Sequence, residues 1–128
     1  MAVIVCTSDA YMAPELVFDA DLGDLYVIRL PELVMDREVL DGIEFAAEKL
    51  EVSLCVVLTH ENRPGDPEAD EGFSLFRKRE EGIHELIQCA VEKIRNSSSL
   101  EKVIGTGAFF AVGAKYDLET GEVTVFDF

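Results

Sequence analysis

Two short segments of this 128-residue chain gather most of the side chains able to do chemistry. One is Cys6-Thr7-Ser8-Asp9-Ala10-Tyr11; the other is His60-Glu61-Asn62-Arg63. Thiolate, imidazole and carboxylate are the groups that hold transition metals and move protons. By residue type, Cys6, Asp9 and His60 could ligate a weakly held metal, and Asp9 could serve as a base. Arg63 argues against a metal, because its charge is fixed. A cation about 4 Å from a dication costs about 8 kcal/mol at an effective dielectric of 20. That same charge suits Asp9, so an Asp9–Arg63 ion pair near His60 is expected. Structural roles compete at each position: Asp9 as the cap of a following helix, His60 as a hydrogen-bonded strand-end histidine, Cys6 as a core thiol.

The elements that would position these segments follow from hydrophobic patterning. Residues 2–6 form a short continuous apolar run, as in a strand covered on both faces. Pro14 suits the first turn of a short helix near 14–20. Residues 25–30 read as a second buried strand, stopped by Pro31. Residues 37–50 repeat Val39, Leu40, Ile43, Ala46, Ala47 and Leu50 at helical spacing. Residues 54–59 are the most apolar strand. Residues 61–73 are polar, with two Pro and two Gly, and read as an exposed loop. A long helix is expected over 73–95, with Phe76, Ile83, Leu86, Ile87, Ala90, Val91 and Ile94 as its apolar stripe. Residues 109–116 and 123–126 flank Asp117-Leu118-Glu119-Thr120-Gly121, a hairpin signal. Strands thus alternate with helices. The fold expected is α/β: one domain over 1–128, a mostly parallel sheet flanked by helices on both faces, and a C-terminal hairpin. Ligands in such sheets sit beyond the carboxyl ends of the strands, where Cys6 to Tyr11 and His60 to Arg63 fall.

Composition narrows the function. There are 11 Lys and Arg against 26 Asp and Glu, a formal net charge of −15. This excludes the basic footprint that phosphate-backbone binding needs, and binding to an anionic membrane surface. No apolar run is long enough to cross a bilayer, and the N-terminus does not read as a signal peptide. Three cysteines without close spacing do not make a disulfide framework, so a cytoplasmic location is expected. Cys55 and Cys89 read as core residues. His84 reads as a surface or interface residue, the basic Arg77-Lys78-Arg79 cluster as a solvated helix face, and residues 66–71 as a solvated acidic loop.

Beyond single residues, the chain resembles the β-class carbonic anhydrases. That family carries Cys-x-Asp-Ser-Arg after its first strand and His-x-x-Cys after its third; the two Cys and the His hold zinc, and the Asp and Arg gate the fourth position. The resemblance runs from Ser8 through Arg29, with a Pro-Glu helix, a Gly-Asp turn and a Val-Ile-Arg strand. It continues in Gly42-Ile43-Glu44-Phe45-Ala46-Ala47 and in Val112-Gly113-Ala114-Lys115-Tyr116-Asp117-Leu118-Glu119-Thr120-Gly121. Aligned on Pro14-Glu15-Leu16, Thr7 takes the first zinc-cysteine position and Asp9 keeps the dyad aspartate. Ala10 and Tyr11 replace the dyad Ser and Arg, His60 keeps the zinc histidine, and Arg63 takes the second cysteine position. A one-residue gap would put Cys6 on the first cysteine position instead.

The resemblance implies a carbonic anhydrase fold with a relic pocket of Thr7, Asp9, Tyr11, His60 and Arg63. It implies no catalytic residue beyond the relic dyad position Asp9, and no bound cofactor. A threonine hydroxyl does not ionise at neutral pH, and without zinc no water of lowered pKa is available to attack carbon dioxide. The expected role is a pseudoenzyme that binds a small anion or scaffolds a partner, as a homodimer or higher homo-oligomer. The competing expectation is a carbonate dehydratase with an atypical zinc site built from Cys6, Asp9 and His60.

Overall fold

A computed structural model describes the backbone of residues 1–7, 13–61 and 74–126, and the side chains of 1–7, 13–60 and 84–126. Its strands are β1 (Ala2–Thr7), β2 (Leu25–Leu30), β3 (Leu54–Glu61), β4 (Phe110–Asp117) and β5 (Val123–Phe126). Its helices are α1 (Pro14–Val17), α2 (Arg37–Lys49), α3 (Ser74–Arg95) and α4 (Glu101–Gly105). The strands form one sheet in the order β2-β1-β3-β4-β5. The first four are parallel, and β5 returns antiparallel along β4.

Chain order explains the layers. The connection from β1 to β2 moves one way across the sheet; those from β2 to β3 and from β3 to β4 move the other way. Right-handed crossovers then place α1 on one face and α2 and α3 on the opposite face. Side-chain packing agrees. Val3, Val5, Cys55, Val57 and Ala111 pack with α2 and α3 residues such as Ile43 and Ile87, while Val103 and Ile104 of α4 border this larger core. Ile4, Cys6, Val56, Leu58 and Ala114 form a smaller core on the other face, bordered by Val17 and Phe18. β1 supplies both cores alternately because successive strand residues face opposite ways.

Local chemistry sets the element ends. The Asp36 carboxylate caps α2 by accepting from the Val39 amide at 3.0 Å, satisfying a donor that the first turn leaves open. In the hairpin, Asp117 Oδ1 accepts from the amides of Glu119 at 2.8 Å and Thr120 at 3.3 Å. Gly121 adopts a φ of 76°, which a side chain would resist. Arg95, at the end of α3, donates from Nε and Nη2 to the Ala111 carbonyl at 3.1 and 2.7 Å, tying that helix to β4.

Three expectations need correction. The helix after Pro14 is one turn, ending at Val17, because Asp19 turns into the left-handed region at φ 50°. Cys89 is exposed, one residue off the buried stripe of Ile87, Ala90, Val91 and Ile94. Leu86, also expected in that stripe, is 46 % exposed. Helix α4 was not anticipated; five residues are too few to display a period. Phe76, Ile83 and the Arg77-Lys78-Arg79 cluster lie outside the described side chains, and the acidic stretch 66–71 lies outside the described residues.

Candidate functional site

Chain direction across the sheet reverses between β1 and β3. Open α/β sheets take ligands beyond the carboxyl ends of the strands at such a reversal. Cys6 pairs with Leu58 in the β1–β3 ladder, so Thr7 and His60 both stand at the carboxyl ends of these strands.

Strand alternation separates these two residues. Thr7 follows Val3 and Val5 onto the α2/α3 face, where Thr59 is also buried. His60 follows Val56 and Leu58 onto the α1 face, together with Cys6. β3 does not end at Thr59: His60 pairs with Tyr116 and Glu61 with Asp117, so the imidazole is carried inside the sheet ladder. Its Nδ1 atom is shielded from solvent. Tyr116, which borders the same small core as Cys6, stands beside His60 and was not singled out from the sequence. Only the β3–β4 register reveals it; a tyrosine at the end of an apolar run carries no local signal.

Both thiols of the central strands are fully buried. Burial pushes the Cys55 thiol up to about 12, which keeps it protonated and a poor nucleophile or ligand at neutral pH. Cys55 lies on the α2/α3 face with Val57, in the core as expected. His84 is exposed, as expected, and its ring meets Phe126 edge-on at 5.1 Å. Asp9 and Tyr11 lie outside the described residues. So does Arg63, and with it the expected Asp9–Arg63 pair.

A family model described as carbonic anhydrase matches residues 1–65, half of the chain. Carbonic anhydrase 2 of Mycobacterium tuberculosis is 30 % identical over 156 aligned positions, covering 98 % of this chain and 74 % of that protein. This chain belongs to the β-carbonic anhydrase family. A carbonic anhydrase of Mycolicibacterium smegmatis is 43 % identical over 61 residues, 48 % of this chain and 30 % of that one. Among solved structures, the carbonic anhydrase of Streptococcus mutans superposes with a TM-score of 0.73 at 20 % identity, covering 98 % of this chain and 81 % of its own. A pair described as tetrameric β-carbonic anhydrases from Sordaria macrospora also gives 0.73, at 15 % identity, over 99 % and 80 %. The Mycobacterium alignment is longer than the 128 residues of this chain, so that carbonic anhydrase has residues with no counterpart here.

The β-carbonic anhydrase family implies zinc, and the donors tell whether these residues suit it. Among the described residues, no three of His, Cys, Asp and Glu come together. Cys6 and His60 share a face by strand alternation; Thr7, which the resemblance aligns with the first zinc cysteine, lies on the other. One thiol and one imidazole fall short of the three protein ligands that catalytic zinc sites use. The described donor set does not fit a β-carbonic anhydrase zinc centre.

Proposed function

We propose that this chain is a β-carbonic anhydrase-like protein that binds no zinc and does not hydrate carbon dioxide. It acts in the cytoplasm as a homo-oligomeric binding or scaffolding protein, with a small anion at Arg63 as its candidate ligand. The reading rests on one observation above others: a threonine, Thr7, stands where the resemblance aligns the first zinc cysteine. A hydroxyl neither ionises at neutral pH nor neutralises a dication, and the guanidinium of Arg63 repels one. The tetrameric state named for the Sordaria structures supports self-association.

The placement of Cys6 on the His60 face favours one second reading: a carbonate dehydratase with an atypical metal site drawn from Cys6, Asp9 and His60. Elemental analysis of protein purified without chelator or histidine tag, beside a carbon dioxide hydration assay, separates the two. The first reading expects less than about 0.1 zinc per chain, as an incomplete ligand set holds the ion loosely, and no hydration above the uncatalysed rate. Near-stoichiometric zinc with hydration that Cys6→Ala abolishes would establish the second.

A further inference from the structure

One thiol and one imidazole fall short of zinc, but they are the donors a soft monovalent ion takes. Cys6 on β1 and His60 on β3 lie on the α1 face by strand alternation. Cys6 pairs with Leu58 and His60 follows two residues later, so the two are diagonal neighbours on adjacent strands. Strands about 4.8 Å apart, with a rise of about 3.3 Å per residue, put such Cα atoms about 8 Å apart. A thiol and an imidazole leaning toward each other cover part of that span, and a single ion between them covers the rest. Both donors are kept from water: Cys6 is fully buried, and the Nδ1 atom of His60 is shielded from solvent. The buried residues packed with Cys6 are Ile4, Val56, Leu58 and Ala114, all apolar.

Charge balance selects the ion. One thiolate neutralises a monovalent cation; with a dication it leaves a net positive charge, which apolar surroundings disfavour strongly. Softness selects further, because thiolate prefers copper(I) and imidazole also suits copper. Copper(I) is satisfied by two ligands in line, and among the described residues no third His, Cys, Asp or Glu joins a cluster. Arg29 pairs with Cys6 in the β1–β2 ladder, but its side chain is exposed, so water screens its repulsion of the ion. We infer that Cys6 and His60 form a buried two-ligand site for copper(I). The inference goes beyond the zinc-free reading proposed above and rests on it, since a third protein ligand would return the pair to zinc. On binding, the thiol proton leaves to solvent and a metal–sulfur bond replaces it, with no change of oxidation state.

Anaerobic titration of the full-length chain with copper(I), in competition with the chromophoric chelator bicinchoninate, tests this. X-ray absorption at the copper edge on the loaded wild type identifies the ligands. The expected result is one copper per chain withdrawn from the chelator and held by one sulfur and one nitrogen. Cys6→Ser should weaken binding at least about a hundredfold and His60→Leu at least about tenfold. Circular dichroism reports that each variant is folded, and the wild-type absorption spectrum decides the ligands if either is not. Cys89→Ser removes the exposed thiol and should leave binding unchanged. Binding that survives Cys6→Ser, binding that Cys89→Ser abolishes, or a copper edge with sulfur ligands alone overturns the site. So does a wild type that leaves all copper with the chelator. Zinc content of the protein as purified reports on the zinc-free reading separately: failure to bind copper without zinc present overturns the inference alone, and near-stoichiometric zinc overturns the reading and the inference that rests on it.

Discussion

Cys55 shows how one buried atom sets a pH limit for the fold. Its thiol titrates near 9.0 when solvated and is pushed up to about 12 by burial, where its thiolate would have no water around it. Below pH 9 the group is protonated folded and unfolded, and adds no pH dependence. Between about 9 and 12 the unfolded chain gives up this proton and the folded chain keeps it. Stability therefore falls as pH rises through that window, by up to about 1.4 kcal/mol per pH unit from this residue. Denaturant titrations of wild type and Cys55→Ala should give stabilities that converge above pH 9. A difference that stays constant up to pH 11 would show that Cys55 ionises in place. At this scale the sequence was partly legible. Cys6 and Cys55 sit in unbroken apolar strands, so their burial could be read directly. Cys89 could not be read so: on a helix, one position along the chain turns a side chain by 100°, and the stripe edge depends on what it packs against. The facing of His60 was hidden for a related reason. It depends on β3 continuing through Glu61, which is decided by pairing with β4 and not by the residues themselves.

Gly42 carries a separate consequence, at the level of helix α2. It sits mid-helix, where glycine costs about 1 kcal/mol relative to alanine because it leaves the unfolded chain more freedom. A Cβ built there meets only the Cδ1 of Ile28, at 3.4 Å, which is ordinary contact. Gly42→Ala should thus stabilise the protein by about 0.5–1 kcal/mol and improve packing of α2 on β2. A lowered unfolding midpoint in urea would mean that Ile28 cannot yield. Long elements with a clear period, such as α2 with its Asp36 cap, and the strands rich in branched residues were legible from the sequence to within two residues. Those whose limits come from tertiary contact were not. α1 is cut short by the left-handed turn at Asp19, β3 is extended by β4, and α4 exists because Leu100, Val103 and Ile104 close the end of the larger core. Strand order was not legible in the sequence; once the sheet gives it, right-handed crossover places each helix on its face.

Across the whole molecule, charge is the dominant quantity. The sequence pI is about 4.3, so at neutral pH every approach of two copies is opposed by a long-range field. An interface formed by apolar burial is short-ranged and largely indifferent to modest salt. The repulsion acts over the Debye length, about 10 Å at 0.1 M salt and about 30 Å at 0.01 M. Adding sodium chloride should therefore tighten self-association, the reverse of an interface held by ion pairs. Sedimentation at those two ionic strengths checks the sign: the dimer dissociation constant should fall several-fold as salt rises. Lowering the pH from 7 towards 5 should act in the same direction, because protonated carboxylates remove the same repulsion. Weaker association at higher salt would mean that charged contacts hold the copies together, as where Arg29 or the helix lysines meet acidic residues of the second copy.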